Sequence, residues 1–187
     1  AGVANYNVVP LPQTVNLVKG KGFVLNPQTV IVCAGTDQAM KDNANFLAEY
    51  IQSLTGLKLP VVSAKSKTTN AIVLSLDNKV NGKEAYTLVV NNKQVRISGS
   101  TAAGVFYGIQ TLRKSLPVMT NSTNATASTE ETLLPAVNIS DAPLFGYRCV
   151  MLDCCRHFFP VSFVKKFIDI LALHNINTFH WHLSEDQ

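Results

Sequence analysis

Tyr147-Arg-Cys-Val-Met-Leu-Asp153, then Val161 to His174, then Thr178-Phe-His-Trp-His-Leu183: this succession decides the fold. The first and last runs are short and apolar. The middle stretch carries Val164, Ile168 and Leu171 on one side, with Phe163, Phe167 and Ile170 beside them, so the pattern predicts strand, helix and strand. Within about 40 residues this is a βαβ unit, whose two strands are expected to lie parallel in one sheet. Two parallel strands cannot close on themselves or cover both their faces. The segment is therefore expected to be the truncated start of a larger parallel α/β fold.

Upstream the periodicity changes. Short β-prone pieces run from Val8 to Leu25, and Thr29-Val-Ile-Val-Cys33 reads as a buried strand. Met40, Ala44, Leu47, Ile51 and Leu54 recur at helical spacing, with Thr36 or Asp37 to cap the start and Gly56 to close the end. Strands are expected at Pro60–Ser63, Ala71–Leu76 and Tyr86–Val90, the last joined through Asn91-Asn92 to Gln94–Ser98 as a hairpin. A second helix follows over Thr101–Leu116, ended by Pro117. Residues 1–140 thus read as an N-terminal α+β domain, a mainly antiparallel sheet with two helices, and 141–187 as the βαβ unit. Residues 120–132, rich in Ser, Thr and Asn, read as a linker inside the first domain. Asn121, Asn124 and Asn138 each head a glycosylation sequon, which would matter only in a secreted eukaryotic protein.

Composition narrows the class. Hydrophobic residues are 47% and charged residues 15% of the chain, enough apolar material for a core. No apolar run approaches the roughly 20 residues that span a bilayer, so no membrane segment is expected. The net charge of +4 comes from scattered Lys and Arg without interleaved aromatics, which argues against a nucleic-acid partner. The chain opens on Ala1-Gly2, compatible with a removed leader or an arbitrary boundary. Cysteines at 33, 149, 154 and 155 match no disulfide framework, and a ring closed by adjacent cysteines is strained, so all four read as thiols.

Chemistry in parallel α/β folds gathers at the C-terminal ends of strands, where the βα loops converge. Here those ends are Asp153-Cys-Cys-Arg-His-Phe-Phe-Pro160 and His180-Trp-His-Leu-Ser-Glu-Asp-Gln187, both dense in ionisable groups. Alternation puts His180 and His182, and with them Ser184 and Asp186, on one face, with Trp181 and Leu183 opposite.

The run from Gly146 to Pro160 resembles the first barrel strand and loop of family 20 glycoside hydrolases, the β-N-acetylhexosaminidases, and His180–Gln187 resembles the second. Phe163–His174 and Asn177-Thr-Phe179 fit the same family. Before residue 120, Pro10-Leu-Pro-Gln13 and Gly99-Ser-Thr-Ala-Ala-Gly104 resemble its N-terminal accessory domain. The resemblance implies a (β/α)₈ TIM barrel, no cofactor, and glycans bearing N-acetylhexosamine as partners. It further implies removal of terminal β-linked N-acetylglucosamine or N-acetylgalactosamine with retention of configuration, in a periplasmic or extracellular setting. In that scheme the substrate's acetamido oxygen attacks the anomeric carbon, an Asp orients it, and the adjacent Glu is the general acid.

That Asp-Glu pair is not in this chain, whose paired acids are Glu130-Glu131 and Glu185-Asp186. No catalytic residue is therefore assigned, and the 187 residues alone are expected to be inactive. By the same resemblance, Arg156 would grip the sugar's ring hydroxyls and Asp186 would support the acid through a histidine further along the barrel. Asp153, His157 and His182 are expected to be structural near the site. Against the pattern that the resemblance implies, in which small residues are more common there, Cys154-Cys155 is a departure.

Two other readings follow from the residues. His180 and His182 on a barrel strand, with Cys154, Cys155 and His157 nearby, are also how a metal-dependent hydrolase would gather ligands, although nothing else has metal-ligand spacing and no metal is expected. Alternatively the chain is a non-catalytic carbohydrate-binding or interaction module. Trp181, opposed to the His face, reads as packing rather than as a sugar platform. Apolar side chains of 145–187 left uncovered would either be sheltered by folding back on the N-terminal domain or drive homo-oligomerisation, which the unpaired strand edges favour.

Overall fold

The computed structural model describes residues 2–33, 35–63, 69–118 and 131–185. The chain divides into two units, Ala1–Ala142 and Pro143–Gln187. In chain order the first unit holds β1 (Gly2–Val3), β2 (Thr14–Leu17), β3 (Phe23–Leu25), β4 (Val30–Cys33), α1 (Gln38–Thr55), β5 (Val61–Ser63) and β6 (Ala71–Leu76). There follow β7 (Tyr86–Val90), β8 (Gln94–Gly99), α2 (Ala102–Ser115), β9 (Thr132–Leu134) and β10 (Val137–Asp141).

Both helices begin and end where capping chemistry puts them. Asp37 accepts the Ala39 N–H at 3.0 Å through its side chain, and Gly56 closes α1 at φ 76°, a left-handed conformation that glycine adopts without cost. Thr101 caps α2 through the Gly104 N–H. The expected hairpin is β7–β8, and its turn is held by Asn91, whose side-chain oxygen accepts from the N–H groups of Lys93 and Gln94.

Seven strands form the main sheet in the order β2-β10-β7-β8-β6-β4-β5. The expected antiparallel character occupies one half, from β2 to β8, while β8, β6, β4 and β5 run parallel. The β4–β5 pair is parallel because α1 lies between the two strands in the chain, and a helical crossover returns the next strand in the same direction. Alternation turns Ile31, Ile72, Leu74, Leu88, Ile97 and Ile139 into one core with Met40, Leu47 and Ile51 of α1 and Val105, Ile109 and Leu112 of α2. A small sheet, β1-β9-β3, adjoins it in the chain.

Three of these strands, β1, β9 and β10, carry no expectation from the sequence. Residues 119–130, most of the expected linker, lie outside the described residues, as do Asn121 and Asn124. Thr132, expected at the linker's end, instead opens β9 and is buried. β10 then inserts between β2 and β7, so the end of the unit completes its sheet. The intervening Pro135 splits Leu133 to Ile139 into two runs too short to announce themselves. Asn138 is exposed on β10.

The second unit is β11 (Cys149–Asp153), α3 (Val161–Leu173) and β12 (Thr178–His182), with the strands parallel and Asp153 opposite His182. α3 ends on Asn175 at φ 60°, with the Asn175 N–H on the Ala172 carbonyl and the Ile176 N–H on the Leu171 carbonyl. That is the hydrogen-bond pattern by which a left-handed residue closes a helix. Val164 and Leu171 are its buried residues. Leu171, on the same side as Val164 as the pattern predicts, is turned inward. At the N-terminal ends of the strands, Arg148 Nε donates to the Asn175 carbonyl at 2.7 Å, tying the helix exit to the entrance of β11.

Candidate functional site

Alternation along β12 divides the chemistry from the packing. Phe179 and Trp181 face α3, in a series of ring contacts from Phe163 to Phe167 (6.3 Å), Phe167 to Phe179 (5.7 Å) and Phe179 to Trp181 (5.9 Å). Trp181 stacks on Phe179 yet stays exposed, and its indole N–H donates to Cys154 Sγ at 3.2 Å. His182 sits beside Asp153 with its Nδ1 3.4 Å from Asp153 Oδ1.

Asp153 organises the loop after β11. Its Oδ1 accepts the backbone N–H groups of Cys155 (3.0 Å) and Arg156 (3.1 Å), and its Oδ2 lies 3.4 Å from Arg156 Nε. The Cys154 N–H continues the strand ladder onto the His182 carbonyl at 2.9 Å. The Arg156 N–H holds the Asp153 carboxyl below the usual carboxylate range, against partial burial that pushes it up. The Cys155 N–H, the Arg156 guanidinium and His182 act in the same downward sense as the Arg156 N–H.

Arg156 reaches across to β12. Its Nη2 lies 3.1 Å from Glu185 Oε1, while 68% of the side chain remains exposed. Glu185 Oε1 is also 3.8 Å from His182 Nε2. Two strand ends are thus joined by an alternating set of acids and bases: Asp153, Arg156, Glu185 and His182. Such a ring fixes the guanidinium plane while leaving donors free, which suits paired hydroxyl or carboxylate oxygens on a ligand.

The structure therefore brings Asp153, Arg156 and His182 together, as the sequence suggests, and adds Glu185. Glu185 was legible only as one of two adjacent acids: alternation continued past His182 sets it opposite the His face, but β12 ends at His182 and the chain beyond leaves the strand. Asp186 lies outside the described residues. His157 is exposed and takes no part in the network among the described residues. His180 and His182 rings are 6.3 Å apart, and Cys154 directs its sulfur to Trp181. Among the described residues no group of three or more His, Cys, Asp and Glu side chains is gathered to hold a metal. No described helix is long and apolar enough to cross a membrane.

Comparison with known proteins bears on both units. The model of glycosyl hydrolase family 20, domain 2, matches residues 5–142, and that of the family 20 catalytic domain matches 145–187. The chain is 39% identical to a β-hexosaminidase of Porphyromonas gingivalis over 97% of its own length, which is 23% of that protein. It is 29% identical to a β-N-acetylhexosaminidase of Cellulomonas fimi over 96% of its length, 35% of the relative. Among solved structures, the Streptomyces plicatus N-acetyl-β-hexosaminidase in complex with Thio-NAglucal superposes with a TM-score of 0.83 at 33% identity, covering 96% of this chain and 35% of that one. The Vibrio harveyi GH20 exo-β-N-acetylglucosaminidase in complex with N-acetylglucosamine gives 0.80 at 28% identity, covering all of this chain and 27% of that one. The chain thus spans between 23% and 35% of the length of these relatives.

Proposed function

We propose, from the premise that this chain belongs to glycosyl hydrolase family 20, that it supplies the sugar-gripping arginine of a retaining β-N-acetylhexosaminidase. The observation that carries this is Arg156, anchored by Asp153 and Glu185 at the C-terminal end of a parallel strand with most of its side chain exposed. A rigid fork of donors in that position suits the vicinal hydroxyls of a terminal N-acetylhexosamine. Asp153 and His182 position the loop and Glu185 orients the fork. Asp186 is assigned to supporting the general acid, and the orienting Asp and acidic Glu are assigned to sequence other than these 187 residues. The βαβ unit is taken as the first two strands of a TIM barrel, and a periplasmic or extracellular setting as its place of work. Homo-association through apolar side chains of the second unit belongs to the same proposal.

The test is hydrolysis of a chromogenic β-N-acetylglucosaminide by the protein that continues this chain. Arg156→Ala is expected to lower kcat/KM by about a hundredfold or more, since a charge-assisted pair of hydrogen bonds is worth roughly 1.5–3 kcal/mol per bond. Arg156→Lys should rescue little, because a point charge cannot span two hydroxyls. The 187-residue chain alone should show no turnover. Full activity in Arg156→Ala would overturn the assignment.

A further inference from the structure

We propose that Cys154 and Cys155 form a redox-sensitive dithiol site, oxidised by a low-molecular-weight disulfide, whose closure releases the Arg156 loop. Neither thiol has a part in the sugar site as read above, yet they stand between Asp153 and Arg156. Cys155 is exposed, so a soluble disulfide can reach it, and Cys154 is half-buried with its sulfur on the Trp181 indole N–H at 3.2 Å. Cys149 is roughly 16 Å away along the extended strand and Cys33 is buried in the first unit, so the two adjacent sulfurs are each other's partners.

The chemistry balances in two exchanges. The Cys155 thiolate attacks one sulfur of R–S–S–R, the S–S bond breaks, and one RS⁻ leaves and takes up the proton that Cys155 gave up. The Cys154 thiolate then attacks Sγ of Cys155, the mixed disulfide breaks, and the second RS⁻ leaves and is protonated in turn. Two thiols are oxidised and one disulfide is reduced to two thiols.

Closure is coupled to Arg156 by the peptide inside the ring. Adjacent Cα atoms are held about 3.8 Å apart across a trans peptide, short of the roughly 4.4–6.8 Å of an ordinary disulfide, so the ring is strained, and the Cys154–Cys155 peptide must rotate about its flanking bonds to bring the two sulfurs within bonding distance. The N–H of that peptide is the one Asp153 Oδ1 accepts at 3.0 Å, and the same oxygen holds the Arg156 N–H. Turning it withdraws a donor from Asp153 and pulls Cys154 Sγ off Trp181. The strain also makes the bridge easy to reduce, which keeps the change reversible. Any consequence for sugar binding rests on the role proposed above for Arg156; the dithiol chemistry does not.

The test uses the 187-residue chain in glutathione buffers of graded oxidised-to-reduced ratio. The tryptic peptide Cys149–Arg156 is expected to lose two hydrogens, mapped by fragment ions to Cys154 and Cys155 and away from Cys149, and to regain them under excess reduced glutathione. Amide protection of Cys155 and Arg156 should fall in parallel. Cys155→Ser, at an exposed position, and Cys154→Ser should each abolish the two-hydrogen loss. A lasting single adduct on Cys155, or a bridge that leaves both amides protected, would overturn the proposal. Neither readout requires turnover, so an inactive Arg156→Ala parent or an active one bears only on the sugar assignment.

Discussion

Asp153 shows how one side chain can order a loop. Two backbone N–H groups and a guanidinium converge on its carboxylate, and each favours the charged form. Since the folded carboxyl lies below its ordinary value, the contribution is fully present above the unfolded carboxylate pKa of about 3.9 and is lost as pH falls through the folded value. NMR titration of the Cys155 and Arg156 amides should show both resonances constant at neutral pH and moving together only in the acid range. Asp153→Asn, which keeps an acceptor oxygen but no charge, should remove that transition and loosen the Arg156 fork. Amides that moved near neutral pH instead would refute the control assigned to Asp153.

Among the elements, α2 is the one most constrained by close approach. A Cβ at Gly104 would lie 2.2 Å from the Ala85 carbonyl oxygen, and one at Gly108 would lie 2.4 Å from Ile97 Cγ2 and 3.0 Å from the Tyr86 ring. Alanine in a helix interior gains about 0.8–1.0 kcal/mol over glycine, whereas overpacking a core costs about 1–3 kcal/mol. The clash wins at Gly108, because Tyr86 is pinned by its hydroxyl to Thr111 at 2.6 Å and to Asp141 at 3.2 Å and cannot retreat. Denaturant unfolding of Gly108→Ala should show a net loss of about 1 kcal/mol or more. Gly104→Ala should lose more, since a backbone carbonyl is less able to yield than an isoleucine methyl. A stabilised Gly108→Ala would mean the sheet and helix can separate there at little cost.

At the scale of the whole chain, stability should depend on pH through groups of the first unit. Lys114, whose Nζ donates to the Val9 carbonyl at 3.0 Å, is brought down by burial from 10.5 to about 8, with Arg113 acting in the same sense and Asp141 opposing. Between those values the unfolded chain holds more protons, so stability of the first unit should rise with pH. Burial raises the phenols of Tyr6 and Tyr86 well above their ordinary range, so the folded state keeps protons that the unfolded chain loses above about pH 10, and stability should then fall. Melting of the first unit followed against pH should therefore pass a maximum near pH 10, and Lys114→Met should flatten the rising side. In the second unit Phe158, 87% exposed, together with the exposed Met151, Ile168 and Trp181, presents apolar surface that should drive the 187-residue chain to associate as concentration rises. Sedimentation at several concentrations would show it, and a monomer throughout would refute the argument from exposure.

The periodicities of 2 and 3.6 residues, with the capping residues Asp37, Gly56 and Thr101, determined both helices of the first unit, the hairpin and the βαβ unit. These are local properties of the chain, so they are readable without partners. Alternation along 178–183 likewise settled which face holds His182 and which holds Trp181. Only the tertiary structure decided the rest. β10 joins the sheet between β2 and β7 by hydrogen bonds to strands about 50 and 120 residues away, a pairing no local pattern encodes. Half the sheet turned out parallel because strand direction follows from the path of the chain between paired strands, which no single segment encodes. Glu185 came to Arg156 and His182 only because β11 and β12 pair in the register that sets Asp153 beside His182, and register is a property of two strands together.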